Sequence, residues 1–184
     1  MSSSLPVTRP AFEPQLAARV QHKLDRKTKP LGALGRIEQL ALQIACVLGS
    51  ESPSLRAPQL LVCAADHGLS AQGVSAYPAE VTHQMVLNML AGGAAVSVLA
   101  RQHGLAFTVA DCGVRGALPL QAGLHRLWVP GLEQGTQDAS LGPAMSEAQC
   151  EQALAQGARL LSSLPGNALL LGEMGIGNTS AAAL

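Results

Sequence analysis

The chain has 184 residues, of which 12 are basic, 12 are acidic and 48% are hydrophobic. Charged residues make up 13%, roughly half the share usual in soluble domains, so the composition predicts burial of apolar surface by further chain or by a subunit partner. The balanced, unclustered charge argues against binding to nucleic acid or to a membrane surface. No apolar run approaches the length of a membrane span, and residues 1–10 lack the pattern of a signal peptide, so we expect a cytoplasmic protein.

The four cysteines lie far apart in the sequence and form no CxxC motif. Their apolar or helical surroundings favour buried free thiols over disulfides or zinc ligands. They are Cys46, Cys63, Cys112 and Cys150.

The first 50 residues predict an arm followed by two helices. Three prolines within residues 1–14 indicate a poorly ordered or docked arm. Residues 15–23 form a first predicted helix, and Arg36–Leu48 has apolar residues at the spacing of an amphipathic helix.

A loop over residues 25–35 separates the two helices and carries Arg26, Lys27 and Lys29. Three neighbouring basic side chains usually form a solvated loop. The alternative is a segment that folds over an anionic ligand.

Three apolar runs of strand length follow, at residues 59–65, 105–110 and 168–171, and residues 125–129 form a weaker fourth candidate. Helical segments separate them, and the connections are too long for hairpins. The sequence therefore predicts an α/β fold with a parallel sheet flanked by helices.

Two of the intervening helices have features of their own. Residues 80–101 form the longest predicted helix, with Gly92 and Gly93 inside it at about 1 kcal/mol each against alanine. Ser146 and Gln149 form a capping box that predicts a helix running to Ser163.

Polar residues follow the first two predicted strands. Asp66 and His67 come directly after the first, and Asp111 follows the second. Ligand groups collect at such strand ends in open parallel sheets, although a polar pair in a turn can equally bond its own backbone. A metal-dependent hydrolase using these three residues and His83 is an alternative, but the chain has no compact ligand motif such as HExxH.

The last predicted strand leads into a turn with Gly172, Gly175 and Gly177, followed by a helix that Asn178, Thr179 or Ser180 can cap. Glycines let backbone N–H groups approach an anion closely, so phosphate or carboxylate is a natural ligand. Glu173 would lie beside that ligand. Neither GxGxxG nor GxxxxGK[ST] fits, so an ordinary strand-to-helix turn remains the alternative.

The sequence stops four residues after Ser180. A helix this short cannot offset its nucleation cost. We therefore expect the natural protein to continue beyond Leu184.

Three segments of the chain, taken together, resemble one family. They read TKPLGALGRIEQLALQIA (28–45), AADHGLSAQGVSAYPAEVTHQMVLNMLAGGAAVSVLA (64–100) and GEMGIGNTSAAAL (172–184). In this order they resemble the N-terminal half of the nicotinate-nucleotide:dimethylbenzimidazole phosphoribosyltransferase (CobT) family of cobalamin nucleotide-loop assembly.

This resemblance implies a homodimeric enzyme with a Rossmann-like parallel-sheet domain and a smaller helical domain. Residues 1–50 would belong to the helical domain and residues 51–184 to the first part of the Rossmann-like domain. The family transfers phosphoribose from nicotinate mononucleotide to 5,6-dimethylbenzimidazole, which gives α-ribazole 5'-phosphate and nicotinate. It needs no metal and no tightly held cofactor.

The resemblance also assigns residues. Glu173 matches a loop glutamate near the sugar and nicotinate, and the phosphate-binding turn matches Gly175, Ile176, Gly177, Asn178 and Thr179, with the Ser180 hydroxyl as a further candidate. The benzimidazole pocket falls at Tyr77, Gln84 and Met85, with Asp66 and His67 close by.

The family's catalytic glutamate, which takes the imidazole proton, and a phosphate-binding lysine belong to the C-terminal half. No residue of this chain matches either, so we expect the 184-residue chain alone to be inactive. A non-catalytic ligand-binding or dimerisation fragment is the remaining alternative.

Overall fold

A computed structural model describes residues 13–183. The chain divides into two compact units, Met1–Ser54 and Leu55–Leu184. The arm predicted for residues 1–14 lies almost wholly outside the described residues.

The described part of the first unit, residues 13–54, contains two helices, α1 (Pro14–Asp25) and α2 (Arg36–Leu48). α1 begins with Pro14. The first N–H groups of a helix have no acceptor within the helix, so proline, which has no N–H, fits at this position. Gly49 ends α2 with a φ of 61°, the left-handed conformation that glycine adopts readily. The helices pack through a small core of Leu16, Val20 and Ala45. The predicted bounds of α2 are confirmed, and α1 is slightly longer than predicted.

The basic loop of this unit is tied to α2. Lys29 Nζ lies 2.9 Å from Glu38 Oε1, and both side chains are largely buried. Glu38 also accepts the backbone N–H of Leu34 at 2.9 Å, and the hydrogen bond with Lys29 is the main reason why the pKa of Glu38 is lowered. Lys29 therefore has a structural partner within its own unit.

The second unit is built on a four-stranded sheet in the order β3-β2-β1-β4. β1 pairs in parallel with β2 and with β4, and β2 pairs in parallel with β3. This confirms the predicted parallel arrangement of the three apolar runs. The strands are β1 (Gln59–Ala64), β2 (Ala106–Asp111), β3 (Leu124–Arg126) and β4 (Leu169–Met174).

Helices cover both faces of this sheet. On one face, α3 (Glu80–Leu90) supplies Val86 to a core with Val62 and Val109. On the other face, α5 (Glu147–Ser163) supplies Leu160 to a second core with Leu61 and Ala110. The unit is thus a three-layer α/β structure, completed by a 3-10 helix (Gly68–Gln72), α4 (Ala95–Gln102) and α6 (Asn178–Ala183).

The prediction of one long helix over residues 80–101 is wrong. The chain forms α3 and α4 instead, separated by a turn in which Gly92 has a φ of 81°. Residues other than glycine adopt this φ rarely, so the glycines serve as the break between two helices.

The same segment is the one candidate for a membrane span within the described residues. Glu80–Gln102 meets the requirements of length and apolar composition. The break after α3 interrupts it, and Val86, Met89 and Ala94 belong to the core against the sheet. We therefore interpret the segment as core helices of an α/β domain.

β2 and β4 end later than predicted because their pairing with β1 continues further along the chain. β4 runs to Met174, so Gly172 pairs with Val62 and Glu173 with Cys63. β2 includes Asp111, which therefore lies within the sheet rather than after it. β3 is only three residues long.

The capping box of α5 is confirmed, since Ser146 and Gln149 each accept the other's backbone N–H.

Asp111 organises the loop that follows β2. Its side chain is 1% exposed and accepts the N–H groups of Gly113 at 3.1 Å and Val114 at 2.9 Å. Its second oxygen accepts the indole Nε1–H of Trp128 at 2.9 Å. With three donors already bound, this carboxylate is a structural group rather than a metal ligand.

Replacing Asp111 by alanine leaves two buried N–H groups and the indole without an acceptor. A buried unpaired donor costs about 1–3 kcal/mol, so D111A should lower the free energy of unfolding by at least about 3 kcal/mol. Chemical denaturation of the purified protein measures this. D138A is the control, because the Gln72 and Ser140 partners of Asp138 are exposed and water can replace it; equal losses in both variants would contradict the assignment.

Candidate functional site

The carboxyl ends of three strands meet at one edge of the sheet. Ala64, the last residue of β1, pairs with Asp111 of β2 on one side and with Met174 of β4 on the other. The segments that leave these three strands must therefore lie side by side. Ligand sites of open parallel sheets form at such an edge.

Asp66 holds the segments after β1 and β2 together. Its carboxylate is 2% exposed and accepts the N–H of Arg115 at 2.8 Å. Its own N–H donates to Gly113 at 2.9 Å, and its carbonyl accepts from Thr136 at 3.1 Å. Burial raises the pKa of Asp66, and the Arg115 N–H and charge oppose that rise. Asp66 is thus a brace for the edge.

The turn after β4 packs directly on the end of β1. A Cβ on Gly175 would lie 2.2 Å from the Ala65 carbonyl oxygen and 2.8 Å from His67 Nε2, so only glycine fits there. The next residue, Ile176, donates its N–H to Thr82 Oγ1 at 3.0 Å, and Thr82 is fully buried in α3. The turn is therefore fixed to both β1 and α3.

Two backbone N–H groups of this turn have no acceptor among the described residues. Gly177 has a φ of 88°, and its N–H and that of Gly175 donate to no acceptor among residues 13–183. The Asn178 N–H donates to the Gly175 carbonyl at 3.0 Å as α6 begins. The Asn178 side chain donates to a carboxylate oxygen of Glu173, which connects the turn to the last part of β4.

A cavity of about 260 Å³ opens beside this turn. Its polar side chains include Glu173, His67 and Asn178, and the glutamate is exposed. The other lining residues are small or apolar, apart from two thiols: Cys63, Ala65, Cys112, Met174, Ala181 and Ala182. The cavity can accept a small ligand with a group that hydrogen-bonds to a carboxylate.

The position of His67 at this cavity affects its pKa. Burial lowers the pKa of His67, and the charges of Glu173 and Asp66 only partly offset that effect. The imidazole is therefore neutral at neutral pH, and it can serve as a hydrogen-bond donor or acceptor.

A second cavity of about 400 Å³ lies where α3 starts, near Asp66. Gln84, one of the three residues that the resemblance assigns to a benzimidazole pocket, lines it. The other two are placed differently: Met85 packs against the core of the sheet, and Tyr77 is 67% exposed. The remaining lining residues are Ala79, Glu80, His83, Arg115, Gly116 and Ala117.

The structure brings together the predicted residues of the last turn and His67, and it adds groups that the sequence reasoning did not assign. Thr82 anchors the turn, the backbone N–H of Arg115 donates to Asp66, and Cys63 and Cys112 line the first cavity. Successive side chains of a strand point to opposite faces of the sheet. Applied to β1, this rule could have placed Cys63 on the face opposite Val62. Within the described residues, no group of three or more His, Cys, Asp or Glu side chains is arranged to hold a metal ion.

The fold and this edge define an α/β protein with a candidate small-molecule site at the carboxyl ends of a parallel sheet. A family model described as phosphoribosyltransferase matches residues 10–184. The chain belongs to the nicotinate-nucleotide–dimethylbenzimidazole phosphoribosyltransferase family, as its relatives indicate.

Two curated relatives and one solved structure illustrate the similarity. The protein of that name from Variovorax paradoxus is 67% identical over 169 residues, which are 92% of this chain and 48% of the relative. The one from Ralstonia nicotianae is 50% identical over 181 residues, with 94% of this chain and 49% of the relative covered. The crystal structure of CobT from Thermus thermophilus aligns with a TM-score of 0.82 at 43% identity, over 92% of this chain and 51% of the other. The chain thus spans about half the length of the relatives it matches.

The pairing of His67 with Glu173 gives a testable pH response. The His67 titration followed by NMR should have a midpoint below 6.5, the ordinary value, and E173Q should lower it further because the carboxylate charge favours the imidazolium. Since the unfolded chain binds the proton more readily, the His67 contribution to stability should be lost as pH falls below about 7.

The control is E80Q, which removes a charge that acts on Asp66 rather than on His67. It should leave the His67 midpoint nearly unchanged. A midpoint above 6.5, or one that rises in E173Q, would show that the two side chains do not share the cavity as described.

Proposed function

We propose that the complete protein, meaning a protein of the relatives' length that carries this chain, transfers phosphoribose from nicotinate mononucleotide to 5,6-dimethylbenzimidazole. The products are α-ribazole 5'-phosphate and nicotinate. The observation that carries the proposal is the match of the family over residues 10–184, together with relatives named for this reaction. The edge of the sheet where β1, β2 and β4 end, here called the ligand edge, is consistent with this reaction.

The mononucleotide is assigned to the turn after β4. Its phosphate would accept the N–H groups of Gly175 and Gly177, which have no other acceptor among the described residues, and the hydroxyl groups of Thr179 and Ser180 lie one turn further on. The N–H of Ile176 is excluded as a phosphate donor while it is bound to Thr82. Glu173 would contact the sugar and nicotinate, and Asn178, which belongs to the phosphate turn, donates its side-chain N–H to Glu173.

The acceptor base is assigned to the cavity that Gln84 lines. Its volume of about 400 Å³ lies within the range of about 300–1,000 Å³ typical of small-molecule sites. Asp66 lines this cavity and the adjacent His67 lines the mononucleotide cavity, so the two proposed substrates would approach each other at the end of β1. Tyr77 and Met85 remain proposed contacts on the strength of the resemblance alone.

The chemistry is a displacement at the anomeric carbon with inversion. A base nitrogen forms the new bond as the bond to nicotinate breaks, through a state with sugar-cation character that Glu173 can stabilise by its charge. The azole proton must leave as well. We assign its acceptor to the part of the complete protein beyond this chain, as the resemblance implies, rather than to Glu173 or Glu80.

The proposal includes two features that rest on the resemblance, a homodimer and the assignment of residues 1–50 to a smaller helical domain with residues 51–184 in the Rossmann-like domain. It also includes a cytoplasmic location, which rests on the sequence pattern. No metal or cofactor is included.

Mononucleotide binding tests the turn. In the complete protein, G177A should weaken nicotinate mononucleotide binding about 10- to 100-fold in calorimetry, because a hydrogen bond to a charged group contributes about 1.5–3 kcal/mol and the strained turn moves its donors.

G123A is a matched control for this substitution. Gly123 has a φ of 85° and a nearest neighbour at 3.5 Å from an added Cβ, against 88° and 3.5 Å for Gly177, and it precedes β3 rather than following a strand. Both variants should lose similar stability, while G123A keeps its affinity. Equal affinities in the two variants would remove the turn from the site.

Catalysis tests the division of labour between this chain and the remainder. The complete protein should convert nicotinate mononucleotide and dimethylbenzimidazole to α-ribazole phosphate, followed by chromatography, and residues 1–184 alone should be slower by at least the ~10²–10⁴-fold that a positioned base contributes. Comparable rates would place the base within these residues. Absence of product from the complete protein would overturn the proposed reaction.

A further inference from the structure

Two cysteines lie side by side near the ligand edge. Cys63 is the fifth residue of β1, and Cys112 directly follows β2. The Cys112 N–H donates to the Ala64 carbonyl at 2.8 Å, which holds its backbone against β1. Both side chains pack against the core that Leu160 of α5 enters, so they share one face of the sheet, and both are free thiols.

Both thiols line the cavity of about 260 Å³ beside the last turn. Each is only partly buried, so a small reagent in this cavity can reach them. The other ionisable side chains that line it are His67 and Glu173, while α6 contributes alanines and Asn178.

The two sulfur atoms interact unequally. A hydrogen bond from Cys112 lowers the pKa of Cys63 from 9.0 to about 7, although burial opposes this. The same contact raises the pKa of Cys112, and burial and the charges of Cys63 and Asp111 add to that rise. In the structure the Cys112 thiol donates to the Ala110 carbonyl oxygen at 3.6 Å, so its proton must turn from that oxygen toward Cys63 when Cys63 ionises. Near pH 7 Cys63 is thus the thiol of the pair that ionises, and Cys112 keeps its proton.

We propose that Cys63 is a modification site, at which the thiolate reacts with soft carbon electrophiles that enter the cavity beside Glu173. The sulfur lone pair forms a carbon–sulfur bond and the leaving group departs with its bonding electrons; the thiol proton has already passed to solvent. With iodoacetamide the products are a thioether and iodide. The site does not depend on phosphoribosyl transfer.

Cys112 acts as a positioning residue for this thiolate. Replacing it should slow the reaction of Cys63 at neutral pH and accelerate it at high pH. At pH 7, C112A should reduce the ionised fraction of Cys63 from about one half to about 1% or less, because burial still raises the pKa when the hydrogen bond is lost, while the more basic thiolate becomes at least about eightfold more nucleophilic. The net rate at Cys63 should fall at least about sixfold. At pH 10.5 both proteins are ionised, so the variant should react about eightfold faster.

The experiment measures iodoacetamide labelling of the complete protein, peptide by peptide, by mass spectrometry between pH 6 and 10.5. The wild-type rate at Cys63 should rise with a midpoint near 7, the pKa given above. C112S keeps a hydroxyl donor and should retain most of the wild-type rate. Cys150, which is exposed on α5, should label equally in all variants and reports any change in the reagent or in global folding.

A change of the same direction at both pH values in C112A would show that Cys112 controls access rather than charge, and no labelling of Cys63 in the folded wild-type protein at pH 7 would overturn the site. Nicotinate mononucleotide should slow the labelling because adduct and ligand would share the cavity. Labelling with the expected pH profile but no protection would support the thiol site and contradict the proposed position of the mononucleotide.

Discussion

The structure depends on the position of β1 between two parallel neighbours. Because β2 and β4 both align with it in the same direction, three strand ends meet at one edge. Glu173 lies at the end of β4, and Asp66, His67 and Asn178 lie on segments that leave this edge. Asp66 stabilises the arrangement, since its buried carboxylate and backbone bind segments that are distant in sequence. Its burial in this position raises its pKa, so the edge is held together at an electrostatic cost that the hydrogen bonds offset.

The carboxylates near this edge differ in their availability for chemistry. Asp111 and Asp66 are buried and their oxygens already accept N–H groups from neighbouring segments. Glu173 is exposed and accepts only from the Asn178 side chain among the described residues. A ligand can therefore compete for Glu173 at little structural cost, whereas binding to either aspartate would open a loop. This difference favours Glu173 as the substrate contact and Asp66 as a structural residue.

The sequence was sufficient for the features that depend on local patterns. Apolar runs located β1, β2 and β4, and a capping box located the start of α5. The break at Gly92 was missed because a glycine costs only about 1 kcal/mol within a helix, and the break is set by how α3 and α4 pack on the sheet. The anchoring of Ile176 by Thr82 joins residues 94 positions apart, and the contact of Cys63 with Cys112 requires the register of two strands. No local pattern contains either.

The strand that carries Glu173 is also the least covered. β4 has one neighbour in the described sheet, and its Leu169, Leu170 and Leu171 side chains are 40%, 45% and 71% exposed. Parallel strands are normally covered on both faces, and the relatives have about as much chain again. The proposed complete protein accounts for this exposure if its remaining part packs on β4. Such a cover would also exclude water from Glu173, and the interaction of its charge with a sugar cation would strengthen as the local dielectric constant falls.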